Sequence, residues 1–318
     1  MVDADFLPDA DPQLPGAPAG FGHCDCRRCG VDRAPAHPAR RLFTGLLAAG
    51  GVSALTPAWA QEGVDVGKQS RFTKLVSAEQ VEAAAQQQYA QMMRQAQAQK
   101  ALAPANHPQV LRLRAIAQRI IPFAATWNPR AQQWRWEVNL IGSRELNAFC
   151  MPGGKIAFYF GILQQLQLSD DEVAMIMGHE MAHALREHAR ERMGKNMATN
   201  GAIEIGAALL GLGNMGRGIA NIGGQLLSLT FSREDESEAD LVGMELAARA
   251  GYNPQAGVTL WQKMGQASKG APPQFLSTHP AGPTRIRDIE RTLPRVQGLY
   301  ARAPKPEQRF QPPAPAKS

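Results

Sequence analysis

A mostly helical α+β fold with a small mixed sheet is what the sequence predicts, on three observations. Four stretches carry apolar residues at helical spacing, near 77–100, 109–121, 169–194 and 234–250. Between the second and third lie three short stretches of strand character, two of them joined by Pro152-Gly153-Gly154, a turn signal. The 318 residues, 44% hydrophobic and 19% charged, suffice for a sizeable core and are too apolar for a disordered chain.

Composition also narrows the partners. Net charge is +6, yet aromatics are only 6% and do not interleave with basic residues, so no nucleic acid is expected. A solvated surface accounts for the charge, with peripheral membrane contact through anionic lipid as a further expectation.

Residues 1–60 read as an export signal with a long leader. Positions 1–39 are rich in Pro, Gly, Ala and Asp and lack apolar periodicity, which predicts disorder. Arg40-Arg41-Leu42-Phe43 then opens a short apolar run ending in Ala58-Trp59-Ala60, the pattern of a twin-arginine signal cleaved after Ala60. That leader is long for such a signal, and no Met occurs between Met1 and Met92. The alternative is an uncleaved inner-membrane anchor through residues 42–60, although a span needs about 20 apolar residues. Export places the protein in the periplasm or at the envelope. Cys24, Cys26 and Cys29 have C-x-C-x-x-C spacing without a second ligand pair nearby, so zinc or redox chemistry there is a minor reading. Cleavage would leave Cys150 as the single cysteine, and disulfides would play no part.

Residues 61–104 are a linker and a Gln/Ala-rich helix, opened by Ser77 with Gln80 and thin enough in apolar face to lie over the core. Residues 105–295 make the main domain. Gln109–Ile121 is helical, Trp134–Ile141, Glu145–Met151 and Lys155–Phe160 are strands, and Gly161–Leu168 is a short helix. Ser169 with Glu172 forms a capping box, and Asp170 and Asp171 complement the helix dipole, which predicts one helix from Ser169 to Gly194. Val173, Ile176, Met177, Met181, Ala184 and Leu185 are its apolar stripe. Ala198–Ser228 is nearly uncharged and broken by glycines, which fits two short buried helices or a loop-rich cover. Glu234–Ala250 is helical, and Asn253-Pro254 starts the next helix. Residues 296–318 end in a Pro-rich basic stretch and are expected as a disordered tail.

The helix at 169–194 carries His179-Glu180-Met181-Ala182-His183, an H-E-x-x-H pattern. Residues four apart differ by only about 40° at 3.6 residues per turn, so His179 and His183 stack on one face as two ligands of one metal ion. Glu180 lies about 100° round, able to reach a metal-bound water without occupying the metal. Catalytic zinc takes three protein ligands and keeps one position open. On a continuous helix His188 stands about 140° from His183 and is set aside. A metzincin arrangement fails too, because Arg186 and Ala189 stand where its glycine and third histidine belong. A carboxylate on a second helix remains, and Ser232–Gly243 offers Glu234, Asp235, Glu236, Glu238 and Asp240. Glu236 and Asp240 share a face, so one can ligate while the other accepts an imidazole N–H. Glu234 and Glu238 are spaced equally well, and geometry leaves the choice open.

Four motifs together resemble one family. They are H-E-x-x-H, S-R-x-x-E-x-x-x-D from Ser232 to Asp240, Asn147-Ala148-Phe149-x-x-Pro-Gly-Gly154, and Ser277-Thr278-His279-Pro280 with Arg285. The family is that of HtpX and the Ste-type CAAX prenyl proteases, in the soluble periplasmic branch that includes the beta-barrel assembly-enhancing protease. The likeness spans about Gln109 to Leu293, without C-terminal helical repeats and without the several transmembrane helices of HtpX. It implies a zincin-like catalytic domain, one Zn2+ per chain held by His179, His183 and Glu236, and Asp240 behind the ligands. The expected function is zinc-dependent endopeptidase hydrolysis, with Glu180 as the proton carrier. Its substrates would be unfolded or misassembled envelope proteins met in quality control. An extended substrate would pair with the edge strand Glu145–Met151 through Asn147 and Ala148. His279 has three readings: oxyanion support, a fourth zinc ligand that holds the enzyme latent, or a cap for the helix beginning near Pro283. A competing expectation is a non-proteolytic chaperone or outer-membrane assembly factor whose zinc is closed by four protein ligands.

Overall fold

Residues 63–199, 226, 229–267, 274–279 and 284–315 are described by a computed structural model of the chain. The expected leader and signal at 1–60, and nearly all of the glycine-rich 198–228 stretch, lie outside them. Among the described residues no helix is long and apolar enough to cross a membrane.

The sheet has three strands, β1 (Glu137–Ile141), β2 (Ala148–Met151) and β3 (Lys155–Tyr159), in the order β1-β3-β2. β3 runs parallel to β1, with Val138 opposite Ile156, and antiparallel to β2, with Cys150 opposite Ile156. The β2–β3 hairpin closes at Gly153 and Gly154, whose φ values of 84° and 77° are the left-handed conformation glycine adopts freely. Side chains alternate between two cores, as strand geometry requires. Ile141, Met151, Ala157 and Tyr159 face α1 (Ala78–Ala98), where Ala85, Tyr89, Met92 and Ala96 meet them. Ser77 caps α1 by accepting from the Gln80 N–H, and Tyr89 Oη donates to Ile156 O at 2.6 Å. Val138, Leu140, Ile156 and Phe158 face the main core with α2 (Pro108–Ile120). All five residues of β3 are buried because both faces are covered.

A short α3 (Phe160–Gln165) leads to α4 (Asp170–Leu185), whose N-terminus has the full capping box of Ser169 and Glu172. Every α4 residue except Asp171 is buried, so the expected apolar stripe is in fact a helix enclosed on all sides. Buried Arg112 of α2 fixes its start, donating to Asp170 Oδ1 at 2.7 Å and to Leu168 O at 2.6 Å. Across α4 lies α6 (Arg233–Arg249), capped by Ser232 and Asp235. The two helices touch backbone to backbone at a pair of glycines. A Cβ on Gly178 would fall 2.6 Å from Gly243 O, and one on Gly243 would fall 2.5 Å from His179 N. No other residue fits, and this approach brings the acids of α6 within reach of the α4 histidines. Helices α7 (Ala256–Ala267), α8 (Gln274–Thr278) and α9 (Arg285–Arg302) complete the described domain.

Three expectations are corrected. The helix predicted from Ser169 to Gly194 ends at Leu185, and a separate α5 runs from His188 to Thr199. Asn128 Nδ2 and Gln69 Nε2 donate to Leu185 O at 3.1 and 3.2 Å, and Glu187 turns the chain at φ 60°. The strand expected from Glu145 starts at Ala148. The tail expected as disordered is ordered to residue 315: α9 continues to Arg302 and the following chain is tied down by distant side chains. Phe310 N donates to Asp170 Oδ2 at 2.8 Å, Gln109 Nε2 to Gln311 O at 3.0 Å, and Gln167 Nε2 to Pro313 O at 2.9 Å.

Candidate metal centre

The α4–α6 crossing places four side chains in one buried cluster: His179, His183, Glu236 and His279, with donor atoms all within 4.8 Å of one another. His179 Nε2 lies 3.1 Å from His183 Nε2 and 3.5 Å from Glu236 Oε2, and His183 Nε2 lies 3.4 Å from Glu236 Oε1. His279, just beyond α8, brings Nδ1 to 3.3 Å from His179 Nε2 and 2.9 Å from Glu236 Oε1. Tetrahedral donors held about 2.0–2.1 Å from a zinc ion are roughly 3.3 Å apart, so these separations fit a single small cation.

The donors are aimed from behind. Asp240 Oδ1 accepts from His179 Nδ1–H at 3.0 Å, which turns Nε2 inward. Arg285 donates to both oxygens of Asp240 and to Glu236 Oε2, each at 2.7 Å, and its guanidinium lies 3.6 Å over the Trp261 ring. Phe231 stacks on His183 with ring centres 4.0 Å apart, and Phe275 stacks on His279 at 4.5 Å.

Burial opposes charge on Glu236, but the imidazoles of His179, His183 and His279 crowded around it hold its carboxyl far below the usual range. Burial likewise opposes charge on Asp240, and Arg285 and His179 keep it low. Burial holds the His183 imidazole well below its ordinary value. For His179 burial is outweighed by Asp240 and Glu236, which raise it to about 9. Ionised acids and a neutral His183 are the forms in which lone pairs are offered to a metal. Burial raises the Glu180 carboxyl. Its Oε1 accepts no hydrogen bond among the described residues and lies 3.5 Å from His279 Nε2.

A cleft opens onto this cluster. One wall is the edge strand β2 with Asn147 and Ala148. The lining also has Glu180, His183 and His279, with Thr278 and mostly apolar residues such as Leu229 and Phe231. The Ala148 N–H is occupied by its neighbour's Asn147 Oδ1 at 2.9 Å, so a strand docking there has to displace that side chain.

Of the other acids considered, Glu238 turns away to Arg186 and His188, Asp235 caps α6, and Glu234 is exposed. His279 does not cap α9, whose N-cap residue Thr284 has no side-chain cap. Arg285 entered the sequence reading only as part of a motif, and its bridge between Glu236 and Asp240 has no local signal. Phe231 had no such signal either: it stands just before the capping residue Ser232, but the position an apolar staple would pack against is Glu236.

Two imidazoles, one ionised acid and a buried glutamate with an oxygen that accepts no hydrogen bond among the described residues, all on one cleft, have the chemistry of a metal-dependent hydrolase. Known proteins point the same way. The model of peptidase family M48 matches residues 107–293. Mitochondrial metalloendopeptidase OMA1 of Schizosaccharomyces pombe is 33% identical over 259 residues, 80% of this chain and 72% of that protein. Metalloprotease LoiP of Escherichia coli K12 is 30% identical over 191 residues, 59% of this chain and 72% of its own length. The beta-barrel assembly-enhancing protease of Escherichia coli O157:H7 is 26% identical over 174 residues, and the chain covers 36% of it. The chain belongs to peptidase family M48, and its enzymatic class is metalloendopeptidase.

Proposed function

We propose that this M48 peptidase is a zinc-dependent endopeptidase of exported or envelope proteins, with one Zn2+ held by His179, His183 and Glu236. The observation that carries it is the inward convergence of those three donors beside Glu180, whose Oε1 accepts no hydrogen bond among the described residues. Zinc there would polarise the scissile carbonyl and acidify a water. Glu180 Oε1 takes the proton of the attacking water and returns it to the leaving amine. Asp240 and Arg285 hold His179 and Glu236 in place, and the β2 edge aligns an extended substrate with its side chains in the apolar cleft. We place the chain in the soluble branch of the HtpX and Ste-type line, acting in quality control on unfolded or misassembled proteins. Its paired-arginine leader supports export to the periplasm or envelope, with an anchor through residues 42–60 as the alternative.

A second reading draws on His279, which supplies a fourth donor. Four protein ligands close a zinc site, as in structural zinc or a latent enzyme. Full-length wild type and Glu180→Gln, each with Cys24, Cys26 and Cys29 changed to Ser, separate these readings by elemental analysis and casein cleavage. Glu180→Gln should keep its zinc and lose at least about 100-fold in cleavage. Equal cleavage by both would remove Glu180 from the chemistry, and a zinc-bearing wild type that cleaves nothing would favour the non-proteolytic role. Greater activity in His279→Ala would mark a latent enzyme, and lower activity would mark oxyanion support.

A further inference from the structure

His188 is buried, 1% exposed, and lies outside the donor cluster. On a continuous helix it would point away from His183. The break after Leu185 and the left-handed turn at Glu187 instead fold its ring back, so that the two Nδ1 atoms are 2.9 Å apart. A neutral imidazole donates through one nitrogen and accepts through the other. If His188 donated across this contact, the His183 proton would sit on Nε2, pointing at His179 Nε2 and Glu236. If His183 donates, its Nε2 lone pair faces the cluster, as that of His179 does with Asp240 behind it. The remaining proton of His188 is then on Nε2, which makes no hydrogen bond among the described residues and has Glu238 Oε2 3.7 Å away. Glu238 is itself held by Arg186, so a carboxylate is fixed at the end where that N–H is needed.

We propose that His188 is a positioning residue for His183: it accepts the Nδ1–H of His183, fixes the tautomer that presents Nε2 to the metal, and is backed by Glu238. Each of the two ligand histidines then has its own outer partner, Asp240 for His179 and His188 for His183. The inference rests on the metal reading above.

The test uses full-length protein with Cys24, Cys26 and Cys29 changed to Ser, and zinc itself as the probe. His188→Asn places a carboxamide oxygen where Nδ1 sits, whereas His188→Leu fills the space without an acceptor. Chelator competition should show zinc held about 10- to 100-fold more weakly by the Leu variant, with the Asn variant close to wild type. Wild-type affinity in His188→Leu, or equal weakening in both variants, would overturn the proposal. Long-range 1H–15N correlation of the zinc-loaded wild type needs no variant to fold: it should show His188 protonated on Nε2, and protonation on Nδ1 overturns the relay. A wild type that takes up no zinc defeats the metal reading itself and the relay with it, whereas zinc-loaded protein with the wrong tautomer defeats the relay alone.

Discussion

Replacing Gly243 with Ala sets two effects of opposite sign against each other. Alanine is about 1 kcal/mol better than glycine in a helix interior, so propensity alone raises stability. The new Cβ, however, would lie 2.5 Å from His179 N and 2.7 Å from Gly178 C, both backbone atoms that no rotamer change can move. Ordinary contact begins near 3.4 Å, so α4 and α6 have to part by roughly 0.9 Å. Overpacking costs about 1–3 kcal/mol, and a backbone clash belongs at the upper end, leaving a net loss of about 2 kcal/mol. At about 2–4 °C per kcal/mol for a domain of this size, Tm should fall by roughly 4–8 °C. The same displacement carries Glu236 and Asp240 away from the histidines. Metal sites tolerate about 0.2 Å in ligand distance, so zinc affinity should drop at least about tenfold. Calorimetry in the presence of EDTA reads the first effect and chelator competition the second. A Tm at or above wild type, with zinc held as tightly as before, would refute the close crossing and its role in assembling the cluster.

Arg112→Met removes one half of a fully buried ion pair and should cost about 3–5 kcal/mol in urea unfolding, with Asp170→Asn in the same chain recovering part of it. A loss below 1 kcal/mol would show that the pair is solvated. Ending the chain after Arg302 removes the main-chain partners of Asp170, Gln109 and Gln167, each worth about 0.5–1.5 kcal/mol. Amide exchange in the first turn of α4 should therefore quicken, and unchanged exchange would mean the segment does not dock. Cys150 is 8% exposed, and burial pushes its thiol well up, so iodoacetamide at pH 8 should label its peptide slowly in native protein and quickly in urea. Rapid native labelling, read by mass spectrometry, would place Cys150 in open solvent.

What was legible in the sequence was what neighbours along the chain decide. The start of α4 is set by Ser169 and Glu172, three residues apart, and the structure holds both halves of that box. Its end is set by Asn128 and Gln69, remote donors to Leu185 O that no helical pattern reveals. The Pro-rich tail looks unstructured by composition because the carboxamides that donate to it, on α2 and just after α3, lie 202 and 146 residues away in sequence. The shared face of His179 and His183 follows from helical spacing. The choice among five acids on α6 does not, because spacing admits two pairs. It depends on the angle at which two helices meet, which the Gly178–Gly243 contact fixes, and on Arg285 holding Glu236 and Asp240 together from a third helix. His188 was misplaced by the assumption of an unbroken helix.

Anomalous diffraction at the zinc edge, on crystals of the full chain, bears most directly on the account. The predicted result is one peak per chain in the main domain, within about 2.0–2.2 Å of His179 Nε2, His183 Nε2 and a Glu236 oxygen. A peak ligated by Glu234 or Glu238 in place of Glu236, or no peak between these helices from zinc-supplemented crystals, would contradict it.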